Sequence, residues 1–280
     1  MKLLRVGPKG QEKPAMLDQD GVLRDLSSLI QDIDPTTLSD RSFDQIRAHD
    51  PDQLPRLDPD QRIGACVGGI GKVVCVGLNY SDHALETGNP IPSEPVLFAK
   101  AVSCVCGPND DVLKPRGSTK LDWEVELAIV IGTEARYVSE ENAMNHVAGF
   151  AVFNDVSERH FQAERGGQWM KGKSHDTFGP LGPWLVTRDE VADPGRLAME
   201  LKVNGDVRQK GSTETLIFSV PHVVSYISQF MSLQPGDIIP TGTPPGVGMG
   251  MKPPVFLELG DVMELEIEGL GRQRQKVIAA

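Results

Sequence analysis

Aromatic residues are scarce in this 280-residue chain: 3 Trp, 3 Tyr and 9 Phe make up 5% of it. Set beside 29 Gly and 21 Pro, that scarcity points to many turns and short strands, and so to a β-rich body. Positive charge is also short, with 28 Lys and Arg against 39 Asp and Glu and a net charge of -11. This balance argues against nucleic acid, whose phosphates would be repelled, and against an anionic membrane surface. A bound cation would neutralise part of the excess. The four cysteines, Cys66, Cys75, Cys104 and Cys106, lack zinc spacing, and an even count alone makes no disulfide framework in a chain this long. Reduced, buried thiols are expected.

Long apolar runs are missing too. None approaches the roughly 18 residues of a membrane span, and the apolar part of "MKLLRVGPKG" is too short for a secretory signal. A soluble cytoplasmic protein is the expectation. "GGIGK" lacks the spacing and the Ser/Thr of a phosphate-binding loop, "GVGMG" lacks a dinucleotide fingerprint's context, and no G-x-S-x-G elbow is present. Internal repeats and low-complexity segments are absent as well.

What is present divides near residue 68. Residues 1–68 read as a small N-terminal domain, with a short β-rich start, an Asp20-Gly21 hairpin signal and a Pro- and Asp-dense linker, "HDPDQLPRLDPDQRIG". Residues 69–280 carry recurrent strand-like runs, from "KVVCVGLN" to "DVMELEIEGLG". Helical patterning is confined chiefly to "SEENAMNHV", "VSERHFQAE" and "SVPHVVSYISQFMSL". The expected fold is mostly β with a few short helices, a largely antiparallel sandwich or distorted barrel.

Two stretches share Glu-x-Glu spacing. In "VMELEIEG", Met263, Leu265 and Ile267 alternate with Glu264, Glu266 and Glu268, the pattern of a half-buried strand with a wet face. In "LDWEVELAIVIG" the face of Glu124 and Glu126 continues through Ala128 and Val130, while Val125, Leu127, Ile129 and Ile131 occupy the other. A strand apolar on both faces is buried on both. The two glutamates share a face about 7 Å apart along the backbone, where two unpaired carboxylates call for a cation. The plain alternative is an ordinary strand end. Asp155 in "FAVFNDVSERHFQ" is the candidate third ligand, and three carboxylates with water suit Mg²⁺ or Mn²⁺ better than zinc. Its competing role is as N-cap of the following turn.

His83 and Glu86 in "NYSDHALETG" are three apart, so one helical turn would pair them as a base and its orienting carboxylate; a surface turn is the alternative. The Gly- and Pro-rich "LETGNPIPSEP" that follows suits a moving loop. Lys173 in "MKGKSHDTFGPLGPW" sits in a turn-rich segment, either solvated or pointing inward to hold a carboxylate or enolate. "PTGTPPGVG" offers the amides of an anion nest, or simply a turn.

Taken in order, "VGLNYSDHALE", "PVLFAK", "DWEVELAIVIG", "FNDVSERHFQ", "KGKSHDTFGPLGPW", "LKVNGDVRQ" and "PGDIIPTGTPPGVG" resemble the fumarylacetoacetate hydrolase superfamily over roughly residues 72 to 278. The resemblance implies that family's mixed β-sandwich roll, a usual homodimer, a small N-terminal domain, and a small-molecule 2-oxo acid as substrate. It makes Glu124, Glu126 and Asp155 the metal ligands, His83 with Glu86 the water-activating dyad on a lid, and Lys173 the cation beside the reacting carbonyl. Arg159, Gln162 and Thr243 look like the family's substrate-holding positions. Larger members add a fourth metal carboxylate upstream of the dyad; "VCVGLNY" has none, so water would fill that place, and His175 stands where an aromatic is common. The N-terminus and "DTFGPLGPWLVTRDEV" look most like members that hydrolyse 2,4-diketo-3-deoxy sugar acids such as the L-rhamnonate derivative. The implied reaction is metal-dependent cleavage of a C3–C4 bond to pyruvate and a second acid such as lactate. Decarboxylation of oxaloacetate, isomerisation of a 2-oxo acid, a Schiff-base aldolase on Lys173 and a non-catalytic binding protein are the competing readings.

Overall fold

The computed structural model describes residues 1–87 and 90–280, with the side chain of Thr87 left aside. Two open sheets dominate, and neither closes into a barrel. The larger runs, in spatial order, through Leu23–Asp25, Lys13–Leu17, Lys2–Val6, Gly179–Thr187, Val147–Asn154, Val125–Ile131, Ile238–Pro240, Val73–Gly77 and Val96–Lys100, with Val105–Cys106 added beside Gly179–Thr187. Its neighbours are antiparallel except at Ile238–Pro240 beside Val73–Gly77 and at Val105–Cys106, which are parallel. The smaller sheet comprises Asp206–Ser212, Ala198–Val203, Val262–Ile267, Gly271–Ala279 and Val112–Lys114.

The strand Val125–Ile131 shows why its pattern is apolar on both faces. Val125, Leu127, Ile129 and Ile131 pack into a core shared with Leu201, Met263 and Leu265 of the smaller sheet. Ala128 and Val130 pack the other way, into a core with Leu26, Ile33 and Phe43 of the N-terminal segment. A strand sandwiched between two apolar layers has no wet face, as parallel and central strands generally do not. The comparison strand behaves as its alternation demands: Met263, Leu265 and Ile267 are buried, while Glu264 and Glu268 are exposed.

The first 68 residues are stitched to the rest by strand pairing as well as by packing. Lys2 and Leu3 lie opposite Val186 and Leu185, so the N-terminal hairpins extend the larger sheet. The Asp20-Gly21 turn is there, with Gly21 at φ 77° and its amide on the Asp18 carbonyl. An unanticipated helix, Asp40–Arg47, starts where the Ser39 hydroxyl accepts from the Ser42 amide, and it buries Phe43 and Ile46. The three anticipated helical stretches form Glu140–Ala143, Arg159–Ala163 and Val220–Ser228. All four cysteines are free and buried, and burial pushes the thiols up, Cys66 to about 12. Among the described residues no helix is long and apolar enough to cross a membrane.

Candidate metal centre and active site

Strand register assembles the carboxylates. Asn154 pairs with Val125 across the antiparallel ladder, so the next residue, Asp155, arrives opposite Glu124, and its amide donates to the Glu124 carbonyl at 2.9 Å. Glu126, two residues on, shares the face. Ligand atoms of Glu124, Glu126 and Asp155 all lie within 4.8 Å of one another, and all three residues are buried.

Two of the three already have cations. Lys173 Nζ lies 2.8 Å from Glu124 Oε2 and 2.7 Å from Asp155 Oδ2. Arg159 Nη1 is 2.6 Å from the other Glu124 oxygen, and fully buried Lys100 pairs with Asp155 Oδ1. Burial by itself would raise the Glu124 carboxyl; Arg159 and Lys173 outweigh it and hold the group at about 2. The same carboxylates more than offset burial at Lys173 and keep its ammonium charged.

Glu126 differs. It accepts the Gly242 amide at 2.9 Å, and among the described residues it forms no ion pair. Burial first, then Asp155 and Glu124, push its carboxyl well above the usual carboxylate range. A buried acid facing two carboxylates without its own counter-ion, with hard oxygen donors converging within one ion's reach, fits Mg²⁺ or Mn²⁺ and offers zinc no nitrogen or sulfur ligand.

The dyad forms as its spacing requires. His83 and Glu86 lie on the helix Ser81–Thr87, with His83 Nδ1 3.0 Å from Glu86 Oε2. Gly88 and Asn89 of the following loop lie outside the described residues. A cavity of about 270 Å³ brings His83 together with Glu124, Glu126, Arg159, Gln162, Lys173 and Thr243.

The turn expected as an anion nest is one, and its anions are the protein's own. Besides Gly242 on Glu126, the Gly246 amide donates to Glu86 at 3.1 Å. The Gly248 and Met249 amides donate to the two oxygens of Asp122, at 2.7 and 3.0 Å. Asp122 also accepts from Arg159 Nε at 2.8 Å, which aims the guanidinium. Arg159 Nη1 further reaches Gln162 Oε1 at 3.2 Å, while Nη2 is buried with no partner among the described residues.

A search for relatives adds the decisive observation: the model of the fumarylacetoacetate (FAA) hydrolase C-terminal domain matches residues 72–278. The chain belongs to the fumarylacetoacetate hydrolase family. A Burkholderia lata protein, provisionally named a hydrolase, is 57% identical over 276 residues and 98% of each chain. Among solved structures of the family, the fumarylacetoacetate hydrolase of psychrophilic Exiguobacterium antarcticum is 37% identical, with a TM-score of 0.88 over 100% of both chains. A maleylpyruvate hydrolase from Sphingobium sp. SYK-6, solved with manganese(II) and pyruvate, is 31% identical, with a TM-score of 0.83 over 100% of both. The chain is therefore an enzyme of a hydrolase-type family, and the mixed β architecture is the family's.

Two expectations change in detail. Asp155 is no helix cap: Glu158 caps Arg159–Ala163 by accepting the His160 amide, and Asp155 is given over to Lys100 and Lys173. Lys173 ends a short helix, Met170–Lys173, where a loop was expected. The Thr243 hydroxyl donates to the Val125 carbonyl at 2.9 Å and accepts from Gln209 at 2.8 Å, so it ties the turn to the ladder. Reasoning from the sequence missed Lys100 and Asp122. Lys100 had one available signal, a lysine closing the apolar run "PVLFAK".

Proposed function

We propose that the protein is a metal-dependent hydrolase of 2,4-diketo acids, cleaving the C3–C4 bond of an acylpyruvate to pyruvate and a second carboxylic acid. The observation that carries this reading is Glu126, a buried carboxylate with no counter-ion among the described residues, set beside Glu124 and Asp155, with Glu124 and Glu126 lining the cavity that His83 and Lys173 also line. Those three carboxylates would hold Mg²⁺ or Mn²⁺, and the manganese and pyruvate of the maleylpyruvate hydrolase support both the ion and the product class. A bound divalent cation supplies Lewis-acid stabilisation of the charge that develops on the 2-oxo oxygen.

The chain's own groups do the rest. Arg159, aimed by Asp122, offers its unpartnered Nη2 to the substrate carboxylate, and Gln162 lies beside it. Glu86 orients the imidazole of His83 through Nδ1, and His83 would take a proton from water through Nε2 as the water oxygen adds to C4. Collapse of that adduct breaks C3–C4: the acyl half leaves as a carboxylic acid, and the electron pair passes to the pyruvate enolate. Lys173, held charged by its two carboxylates, stabilises the enolate electrostatically until C3 is reprotonated.

Pyruvate release from 2,4-diketo-3-deoxy-L-rhamnonate, acetylpyruvate and oxaloacetate, each with Mg²⁺, with Mn²⁺ and with EDTA, tests the proposal. Cation-dependent release from a 2,4-diketo acid is the expected result. Release from oxaloacetate alone would make the enzyme a decarboxylase, and release undiminished by EDTA would remove the metal from the reading.

A further inference from the structure

The cavity has two unlike ends. Its buried part is charged, with Glu124, Glu126, Lys173 and Arg159; an apolar wall is formed by buried Val247, half-buried Leu78, Phe98 and Trp169, and exposed Met249. The two rings meet edge to face, centroids 5.2 Å apart. Trp169 is seated by a missing side chain: a Cβ on Gly77 would lie 2.9 Å from its ring, so only bare backbone there lets the indole lie against the strand Val73–Gly77.

The cations of the charged part are spoken for. Lys173 serves Glu124 and Asp155, while Arg159 spends Nε on Asp122 and Nη1 on Glu124. One guanidinium nitrogen, Nη2, has no partner among the described residues, enough for one carboxylate. Among the described residues lining the cavity there is no third Lys or Arg, and His83 is paired with Glu86. The ammonium nearest the wall, Lys173 Nζ, lies 5.1 Å from the centre of the Phe98 ring and is already held by Glu124 and Asp155. A second substrate carboxylate facing Phe98, Trp169, Val247 and Met249 would therefore meet no uncommitted cation among the described residues lining the cavity, and desolvating an anion there is strongly unfavourable. The cavity, at about 270 Å³, also falls just below the roughly 300–1,000 Å³ usual for ligand pockets.

We infer that the enzyme selects short acylpyruvates carrying a single carboxylate, whose acyl group ends in a methyl or similarly uncharged carbon, and rejects diacids of the same length. This rests on the 2,4-diketo acid reading above and narrows it. Phe98, Trp169, Val247 and Met249 are then the specificity-determining wall, receiving the end of the acyl group.

A matched pair tests it: 2,4-dioxoheptanoate against 2,4-dioxoheptanedioate, which differ only in a terminal methyl or carboxylate. With the cation-loaded enzyme, kcat/KM for the diacid is expected to be lower by roughly 100-fold, mainly through KM. Trp169→Arg should narrow that gap by at least about 10-fold by supplying the missing counter-charge, whereas Trp169→Phe should preserve it. Equal or faster turnover of the diacid by the wild type would overturn the inference. Stabilisation of the wild type against heat by each acid is read in parallel. If neither acid releases pyruvate, the hydrolase reading fails, yet the binding comparison still decides: a larger shift with the monoacid supports the apolar wall, and an equal or larger shift with the diacid overturns it.

Discussion

Glu126→Gln keeps the shape of the side chain and an oxygen for the Gly242 amide, but it removes the one carboxylate of the triad that lacks a counter-ion. Its effect on stability should reverse according to whether a cation is present. Without cation, the wild-type carboxyl holds its proton in a window above the usual carboxylate range, and once ionised above that window it is repelled by Asp155 and Glu124; the neutral amide removes that repulsion, so the advantage of the variant in Tm should grow as pH rises. With cation, the wild type gains binding energy. At a free concentration of 100 times Kd the gain is about 2.7 kcal/mol; with an unfolding entropy of about 2.1 cal/mol/K per residue, 280 residues turn this into a Tm rise of roughly 5 °C. If loss of one charged ligand weakens binding about 100-fold, the variant at the same concentration gains only about 0.4 kcal/mol, a rise of under about 1 °C. Differential scanning calorimetry of EDTA-treated protein, titrated with Mg²⁺ or Mn²⁺, reads both effects without reference to turnover. A variant whose Tm rises with cation as much as that of the wild type would refute the assignment of Glu126, and with it the triad as the metal site.

The same carboxyl predicts a pH dependence. Because its folded pKa is raised, the folded chain holds this proton in a window above the usual carboxylate range, so stability of the cation-free protein falls as pH rises through that window. Glu124, held at about 2, contributes in the opposite sense: its stabilisation is present above the ordinary carboxylate range and is lost as pH falls toward 2. Cation binding must displace the Glu126 proton wherever the cation-free group still holds it, so calorimetric titration in two buffers of different ionisation enthalpy should detect proton release within that window, and buffer-independent heats there would contradict it. His83→Gln should lower kcat about 10²- to 10⁴-fold while keeping the wild-type rise of Tm with cation; an active variant would remove the dyad from the mechanism. Lys100→Met takes one of two cations from buried Asp155 and should cost about 2–3 kcal/mol in urea unfolding, with wild-type stability as the contrary outcome.

Local patterns in the sequence were the most informative ones. The break in alternation at Glu124 and Glu126, set against the clean alternation of Met263 to Glu268, marked which glutamates are interior, because side-chain direction in a strand follows a period of two. Spacing of three on a helical turn likewise predicted the contact between His83 and Glu86. Lys100 escaped because its partner Asp155 lies 55 residues away, and nothing in "PVLFAK" reveals which way the last side chain of that run points. Asp122 escaped for a related reason: its role is set by amides at Gly248 and Met249, more than 120 positions downstream. The cap reading of Asp155 failed because Glu158 is better placed to meet the His160 amide, which frees Asp155 for the site. Attachment of Lys2–Val6 to Gly179–Thr187 was equally hidden, since strand alternation specifies a face and not a partner.

The turn from Gly242 to Met249 has a consequence for how this enzyme can change. Its amides hold Glu126 of the triad, Glu86 behind the base and Asp122 behind the arginine, so three separately encoded groups take their positions from one short stretch of backbone. Its close approaches leave little slack: a Cβ on Gly246 would lie 1.9 Å from the Arg208 carbonyl oxygen, and one on Gly248 2.0 Å from that of Val255. A single inserted or deleted residue would shift all three amide partners at once, which local repacking could not restore. An insertion or deletion in this turn is therefore expected to disable the site as a whole, whereas a side-chain change on the cavity wall leaves these three amide contacts in place.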